Sequence, residues 1–169
     1  ALAQFSFLLA QKRESDFSRL KLTRDSKNVD VLLKNKIGLL KEIEALYTRV
    51  AHLGGGEWAL AALYKISTLY QQMAEDVVQA PIPRELGAEQ TESYREEIQK
   101  TFVHPFRERA GSFAIQCLDK ASELNFLSSW GTRCYTAASE LDPVRYPRAR
   151  TFYLPPMHLA VLQPKENSS

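Results

Sequence analysis

Apolar side chains recur every three or four residues along most of this chain, and such spacing places them on one face of an α-helix. The clearest example is a helical hairpin over residues 94–141 that turns at Asn125 and Phe126. The apolar positions of its first arm are Tyr94, Ile98, Phe102, Phe106, Ala110, Phe113, Cys117, Ala121 and Leu124. Those of its second arm are Leu127, Trp130, Cys134, Ala138 and Leu141. The pattern predicts two antiparallel helices that pack through these faces, with Trp130 buried between them.

The same periodicity predicts three earlier helices, over residues 2–22, 29–53 and 57–79. In the first helix, the side chains predicted to face the core are Phe5, Leu8, Leu9, Phe17 and Leu20. The second helix has the widest apolar face, so we expect it to lie centrally, with a neighbour on each of two sides. Three glycines at 54–56 end this helix, and Pro81 with Pro83 ends the third.

The fourth helix is predicted to begin near Ala88, where Glu89 and Glu92 lie at the positive end of its dipole. Pro105 falls inside its apolar stripe, so we expect a kink or a short break there. No stretch alternates with period two over a length that would build a sheet. The sequence therefore predicts an all-α domain of antiparallel helical hairpins over residues 1–143.

Residues 144–169 lack a helical period and contain four prolines. They are nevertheless rich in apolar side chains, so we expect an extended C-terminal segment that packs along the helices. Arg145, Arg148 and Arg150 alternate there with aromatic residues such as Tyr146, which makes these four residues candidate partner contacts. A segment that holds acidic helices of its own domain would explain the pattern equally well.

The composition and charge of the chain limit the functions that it could have. The chain has 169 residues, of which 44% are hydrophobic and 25% charged, as in ordinary globular domains. The formal net charge of +2 gives no global attraction to nucleic acid or to an anionic membrane, and no apolar run approaches the ~20 residues of a membrane span. The first residue is Ala, and a basic region before the apolar opening is lacking, so we expect a processed or excised chain rather than a signal peptide.

The residues that carry most enzyme chemistry do not form recognisable patterns. His52, His104 and His158 are far apart and have no ligand at metal spacing. The glycine cluster lacks the lysine of a phosphate loop, and neither serine nor cysteine occupies a nucleophile elbow. The sequence therefore predicts no catalytic, cofactor-binding or metal site, and a helical hydrolase is disfavoured.

Basic side chains concentrate early in the chain, at Lys12, Arg13, Arg19, Lys21, Arg24, Lys27, Lys34, Lys36 and Lys41. One interpretation is a basic surface for nucleic acid or for an acidic partner. The other is a set of ordinary solvated helix faces, because Glu14, Asp16, Asp25 and Asp30 interrupt the run. The second interpretation is favoured.

Cys117 and Cys134 lie almost equally far from the predicted turn, on the two apolar stripes that face each other. Antiparallel arms would bring them to the same height. They are either a disulfide, which needs Cα atoms within ~7 Å, or two buried thiols that fill the core.

Residues 80–147 also carry a family resemblance. The residues that carry it are Ala80-Pro81-Ile82-Pro83-Arg84-Glu85-Leu86, Tyr94-Arg95-Glu96-Glu97-Ile98, Pro105-Phe106-Arg107-Glu108-Arg109-Ala110, Ala121-Ser122-Glu123-Leu124-Asn125, Trp130 and Leu141-Asp142-Pro143. This segment resembles the C-terminal end of tetratricopeptide-repeat proteins from the envelopes of deltaproteobacteria, including a gliding-motility component.

The resemblance implies a periplasmic scaffold without catalytic residues, built from tetratricopeptide-like hairpins. We therefore expect a helical scaffold that binds protein partners in a cell-envelope complex. The alternative is a nucleic-acid-binding module that uses the basic helices between Lys12 and Lys41. Salt dependence separates the two, because binding to phosphates weakens steeply as salt is added.

Overall fold

The computed structural model describes residues 2–22, 29–83, 86–124 and 129–147, and within these ranges about 85% of the residues are helical and none is in a strand. The helices are α1 (Leu2–Arg19), α2 (Val29–Leu53), α3 (Glu57–Val78), α4 (Ala88–Ile98), α5 (His104–Glu123) and α6 (Ser129–Leu141). A π-helical turn, Gln99–Val103, joins α4 to α5 without a gap. The predicted all-α fold is confirmed. Its five helices are α1, α2, α3, the continuous segment from α4 to α5, and α6. The predicted hairpin turn at Asn125 and most of the predicted C-terminal segment lie outside the described residues.

Helix α3 is the centre of the fold, because it packs against α1, α2, α5 and α6. Helix α2 contacts α1 and α3, so its two predicted neighbours are present, but α3 has more. Small side chains make this possible, since they let neighbouring backbones approach closely. The buried small residues of α3 are Ala59, Ala61, Ala62, Ser67 and Ala74. Ser67 donates to the backbone oxygen of Ala110 at 2.8 Å, which joins α3 directly to α5.

The prediction for α1 is wrong for three of its five inward residues. Phe5, Leu8 and Leu9 are exposed, whereas Phe17 is fully buried as predicted and Leu20 is partly buried. The buried residues of α1 are Ser6, Phe7, Ala10 and Phe17. Helix α1 carries two apolar stripes, and the one that contains Ser6 and Ala10 packs inward because its small side chains admit α2 more closely.

Glycine ends α2 as predicted. A Cβ atom on Gly54 would lie 2.7 Å from the backbone oxygen of Val50 and 2.9 Å from Trp58 Cβ, so only glycine fits this turn. Gly56 has a φ of 53°, a conformation that glycine adopts without strain. The α2–α3 connection is therefore short, and it brings the start of α3 back against α2.

The predicted break at Pro105 is also present, displaced by one turn. Proline has no N–H, and its ring would collide with the carbonyl of residue i−4 in a regular α-helix. The chain meets this constraint with the π-helical turn at 99–103, in which the His104 amide donates to the Gln99 oxygen instead. Pro105 then occupies the first turn of α5, where a missing donor is tolerated.

Trp130 packs against the α5–α6 seam, as predicted, but it is less buried than the sequence prediction has it. It is only partly buried, and its ring lies 5.8 Å from that of Tyr64 on α3. The seam itself is filled by smaller groups, the buried Cys117, Ala121 and Cys134 together with Leu60. The indole therefore covers this cluster of small side chains from one side and contacts Tyr64 of α3 at the same time.

The side chains of Glu14 and Glu44 each link three helices, and they do so in the same way. Glu14 of α1 accepts hydrogen bonds from the Tyr47 hydroxyl at 2.8 Å and from Lys65 Nζ at 2.9 Å. One helix further along, Glu44 of α2 accepts from the Tyr70 hydroxyl at 2.6 Å and from Arg109 at 2.6 Å. Each carboxylate thus joins its own helix to the next two in the stack.

These contacts make stability sensitive to alkaline pH. Burial, followed by the hydrogen bond and negative charge of Glu44, raises the pKa of Tyr70 to about 12. Burial and Glu14 raise the pKa of Tyr47 still further. Because the unfolded tyrosines lose their protons near pH 10, the folded state binds more protons above that pH, so the free energy of unfolding should fall as pH rises. We expect a loss of about 2 kcal/mol between pH 10 and 12 from Tyr70 alone.

Urea unfolding followed by circular dichroism at a series of pH values measures this loss. Tyr70→Phe should make the alkaline slope about half as steep, because Tyr47 alone then contributes to it, whereas Tyr135→Phe, on α6, serves as the matched control and should leave the slope unchanged. An alkaline slope that is equal in the Tyr70→Phe protein and the parent would contradict the assignment.

Candidate functional site

Among the described residues, one partly enclosed and largely apolar cavity is a cleft of about 390 Å³ that we call the α2–α4 cleft. It lies between the start of α2, the end of α3, α4 and the π-helical turn. Its apolar walls are Leu22, Val29, Leu33, Val77, Val78, Ala80, Pro81, Ile82, Ile98 and Phe102. Clefts of this size, largely apolar with a few polar groups, are typical binding sites for a small ligand or for one large side chain of a partner.

Local sequence explains why the cleft forms where it does. Pro81 ends α3 and turns the chain away, so the end of α3 and the start of α4 remain apart. On the opposite wall the π-helical turn, which accommodates Pro105, contributes Gln99, Thr101 and Phe102 to the lining. π-helical turns occur frequently at functional sites.

The polar rim of the cleft is negatively charged. Asp30, Tyr94, Arg95 and Glu97 line it, and Arg95 pairs with Glu92 on the same helix at 3.7 Å. Among the described residues, Asp30 and Glu97 form no ion pair. Burial raises the pKa of the Tyr94 hydroxyl, and the negative charges of Asp30 and Glu97 raise it further. The electrostatic potential at this hydroxyl therefore favours a cation.

The structure brings Cys117 and Cys134 together as a disulfide, with Cα atoms 5.7 Å apart. Both residues are fully buried, next to Leu60 of α3. The bond joins α5 to α6 across the α5–α6 seam. The two cysteines lie side by side along the helix axes, as their spacing in the sequence predicts.

The four candidate contact residues near the C-terminus divide between described and undescribed chain. Arg145 is exposed, and its guanidinium lies 5.5 Å from the ring of Tyr146, which is partly buried against α5 and α6. The Arg145 amide donates to an Asp142 carboxylate oxygen at 3.1 Å. Arg148 and Arg150 lie outside the described residues, so the proposed strip of arginines stays a prediction.

The early basic residues do not form one continuous surface. Lys36 is fully buried and pairs with Asp76 at 2.6 Å, so its assignment to a basic surface is wrong. Arg13 and Arg19 both lie within 3.9 Å of Asp16. Lys12, Lys21, Lys34 and Lys41 are exposed, whereas Arg24 and Lys27 are not described.

A second unpredicted surface is apolar and faces solvent. Leu2, Phe5, Leu8 and Leu9 are 65%, 68%, 56% and 39% exposed, and we call this group the α1 outer face. The spacing of Leu2, Phe5 and Leu9 is itself helical, so the sequence carried a signal for a second stripe that the prediction assigned to the core. Contiguous exposed apolar surface of this kind is typical of interaction sites.

Within the described ranges, no cluster of three or more His, Cys, Asp or Glu side chains is arranged to hold a metal ion. The same ranges contain no helix with the length and hydrophobicity of a membrane span. Comparison of the chain with protein-family models, with curated proteins and with solved structures finds no match. The α2–α4 cleft and the exposed surfaces are therefore the features of this protein that bear on its function.

Proposed function

We propose that this protein is a non-catalytic helical scaffold that binds a protein partner through the α2–α4 cleft. The partner segment would place a large apolar side chain in the cleft and a neighbouring lysine or arginine at its rim. One observation carries the proposal: an apolar cleft of about 390 Å³ whose rim holds the carboxylates of Asp30 and Glu97 beside Tyr94. Binding energy would come from burial of the apolar side chain, and the carboxylates would select a basic neighbour.

The proposed setting is a cell-envelope complex, with the periplasm as the compartment and gliding motility as a candidate process. The sequence resemblance to tetratricopeptide-repeat envelope proteins suggests this setting. The Cys117–Cys134 disulfide supports it, because disulfides persist mainly in oxidising compartments. A tetratricopeptide-like arrangement of the hairpins is part of the same proposal.

The alternative of a nucleic-acid-binding module has less support. Phosphate binding requires a continuous set of exposed cations, whereas Lys36 is buried and Arg13 and Arg19 lie close to an acid. The carboxylates at the cleft rim would repel a phosphate backbone. The cleft therefore suits a basic peptide better than a nucleic acid.

Substitutions in the cleft should weaken binding of the partner. We expect Phe102→Glu, and separately Asp30→Asn with Glu97→Gln, to raise the dissociation constant about 10-fold or more, because a buried apolar contact or a charge-assisted contact is lost. The partner is first identified by affinity capture from native envelopes and mass spectrometry, and its affinity is then measured with both proteins purified.

Glu89→Gln provides the matched control, since Glu89 is exposed on α4, the helix that carries Glu97, and does not line the cleft. Moderate salt should weaken binding of the partner only modestly, because burial of the apolar side chain supplies most of the binding energy and salt screens only the exposed rim carboxylates. Equal affinity of the parent and both cleft variants would refute the cleft as the site. Tight DNA binding that falls steeply with salt, and that Lys21→Glu with Arg24→Glu abolishes, would favour the alternative function instead.

A further inference from the structure

A second, wider groove lies where the end of α6 meets α3 and α5, and we call it the α6 groove. Its volume is about 930 Å³, and none of its lining residues belongs to the α2–α4 cleft. Gly111, Ile115, Ala138 and Leu141 provide the apolar part of its lining. The groove follows α5 over residues 107–116, which is about 14 Å of helix. About four residues of extended chain would cover that length.

We propose that the chain's own residues 148–154, which follow the described part of the protein, bind in the α6 groove. Arg148 and Arg150 would pair with carboxylates at its rim, and Phe152 would cover its apolar lining. The proposal assigns these arginines to the protein's own helices rather than to a partner, which was the other interpretation of their pattern. It is independent of the α2–α4 cleft, because the two sites share no residue.

The described part of the chain ends beside this groove. Tyr146 packs against the buried cluster that contains Ala138, a residue of the groove lining. The Pro147 carbonyl accepts a hydrogen bond from the Tyr135 hydroxyl at 2.6 Å. Tyr135, Ala138 and Asp142 are spaced by three and four positions, so they share the face of α6 that borders the groove. The segment therefore starts next to its proposed site, and no long loop has to close before it can bind.

Charge complementarity favours this segment as the occupant. Each helix around the groove contributes one exposed carboxylate, Glu75 from α3, Glu108 from α5 and Glu140 from α6. Within the described ranges none of these three forms an ion pair, and Arg107 is the one cation of the groove lining there. Residues 148–154 include two arginines and no acid. Exposed ion pairs are individually weak, but a tethered segment has an effective concentration in the millimolar range, so weak contacts suffice.

The order of side chains in the segment also matches the groove. Prolines flank the segment on both sides, which disfavours a helix there and favours an extended chain. Alternate side chains of an extended chain point to the same side. Arg148, Arg150, Phe152 and Leu154 would therefore face the groove together, two cations followed by two large apolar groups. The groove offers both kinds of contact, carboxylates at its rim and apolar side chains in its lining.

The test is limited proteolysis of the full chain with trypsin, followed by mass spectrometry. In the parent protein, the bonds after the two arginines of residues 148–154 should be cut slowly, because the bound segment does not fit the protease. Glu108→Gln with Glu140→Gln should speed both cuts about 5-fold or more, since two carboxylates of the groove are lost. Glu89→Gln with Glu96→Gln is the matched control, because it removes the same charge from exposed positions of α4 outside the groove. Circular dichroism shows whether each variant is folded.

A spin label locates the segment separately. A nitroxide on Thr151→Cys, on the side of the segment away from the groove, should broaden the amide NMR signal of Gly111 strongly. It should leave that of Gly54 sharp, because Gly54 lies beside Trp58, about 25 Å along α3 from Glu75 of the groove.

Three results would overturn the proposal. The first is cleavage of the parent at the same rate as the Glu108→Gln, Glu140→Gln protein, and the second is equal broadening of the Gly111 and Gly54 signals. The third is protection from trypsin that increases with protein concentration, which would place the segment of a second copy in the groove. Each of these results would leave binding of a partner in the α2–α4 cleft to its own test.

Discussion

Asp76→Asn is expected to destabilise the protein by about 3–5 kcal/mol, because it leaves the buried ammonium group of Lys36 without its counter-charge. Lys36 is fully buried, and its Nζ lies 2.6 Å from Asp76 and 2.6 Å from the backbone oxygen of Leu20. The Phe17 ring centroid is 4.4 Å from the same nitrogen. In Asp76→Asn the amide oxygen could still accept a hydrogen bond, but only neutral oxygens and one aromatic face would then surround a full charge.

Removal of the other member of the pair, Lys36, should destabilise the protein less. In Lys36→Met the apolar stem is preserved, and although the Asp76 Oδ2 atom that faces Lys36 is buried, the Asp76 side chain as a whole is 16% exposed and keeps part of its contact with water. We therefore expect a smaller loss than for Asp76→Asn, and in the double variant a loss well below the sum of the two single losses.

Urea unfolding gives the free energies for all three variants. The matched controls are the neighbouring exposed residues, Lys34→Met and Glu75→Gln, each expected to change stability by less than about 0.5 kcal/mol. Additive losses in the double variant would show that Lys36 and Asp76 do not act as a pair.

Lys36 also shows where sequence reasoning fails. It lies at helical spacing among Leu33, Leu40 and Ile43, within the apolar stripe of α2. The pattern thus placed it on the buried face, but a lysine is almost never fully buried unless it is paired. Its partners are distant in sequence, at Leu20 and Asp76. Only the packing of α1 and α3 on α2 brings them together, so a single-helix pattern could not reveal the pair.

The helices themselves were predictable because local signals agree at each boundary. Glycines end α2, Pro81 follows the end of α3, and Pro105 gives rise to the turn between α4 and α5. The orientation of α1 was not predictable, since both of its stripes have helical spacing. The choice between them depends on how closely Ser6 and Ala10 let α2 approach. That is a property of two helices together.

The α2–α4 cleft was unpredictable for a related reason. Its walls come from Leu22 after α1, from α2, α3 and α4, from the connection between α3 and α4, and from the π-helical turn. The sequence indicated a break near Pro105 but not that Phe102 would line a cavity opposite Leu33. Asp30 and Glu97 are 67 positions apart in sequence and come to the same rim only through tertiary packing.

Reduction of the Cys117–Cys134 disulfide is the second large expected effect, a loss of about 2–3 kcal/mol. The two cysteines are 17 residues apart, and closing a loop of this length stabilises a fold by about 3 kcal/mol in the chain-entropy model. Reduction should cost slightly less than this stabilisation, because a new contact can form. The Cys117 sulfur lies 3.2 Å from the backbone oxygen of Leu60. A free thiol would donate a weak hydrogen bond there, whereas the disulfide has no proton to donate.

Urea unfolding with and without a reductant measures the loss. The matched control is the Cys117→Ala, Cys134→Ala protein, whose unfolding should not respond to the reductant. A response in that control would show that the reductant acts elsewhere, and an unchanged midpoint in the parent would contradict the stabilising role of the bond.

Thiol counting then links the bond to the compartment. Protein taken from its native compartment is denatured without reduction and treated with an alkylating reagent, and its mass is measured. We expect no alkylation, because both sulfurs are held in the bond, as they would be in an oxidising compartment such as the periplasm. Two alkylated thiols would place the native protein in a reducing compartment and remove the structural support for the envelope proposal, while leaving the α2–α4 cleft to be tested on its own. Protein made in a reducing cytosol cannot serve for this measurement, since its thiols report the host rather than the native setting.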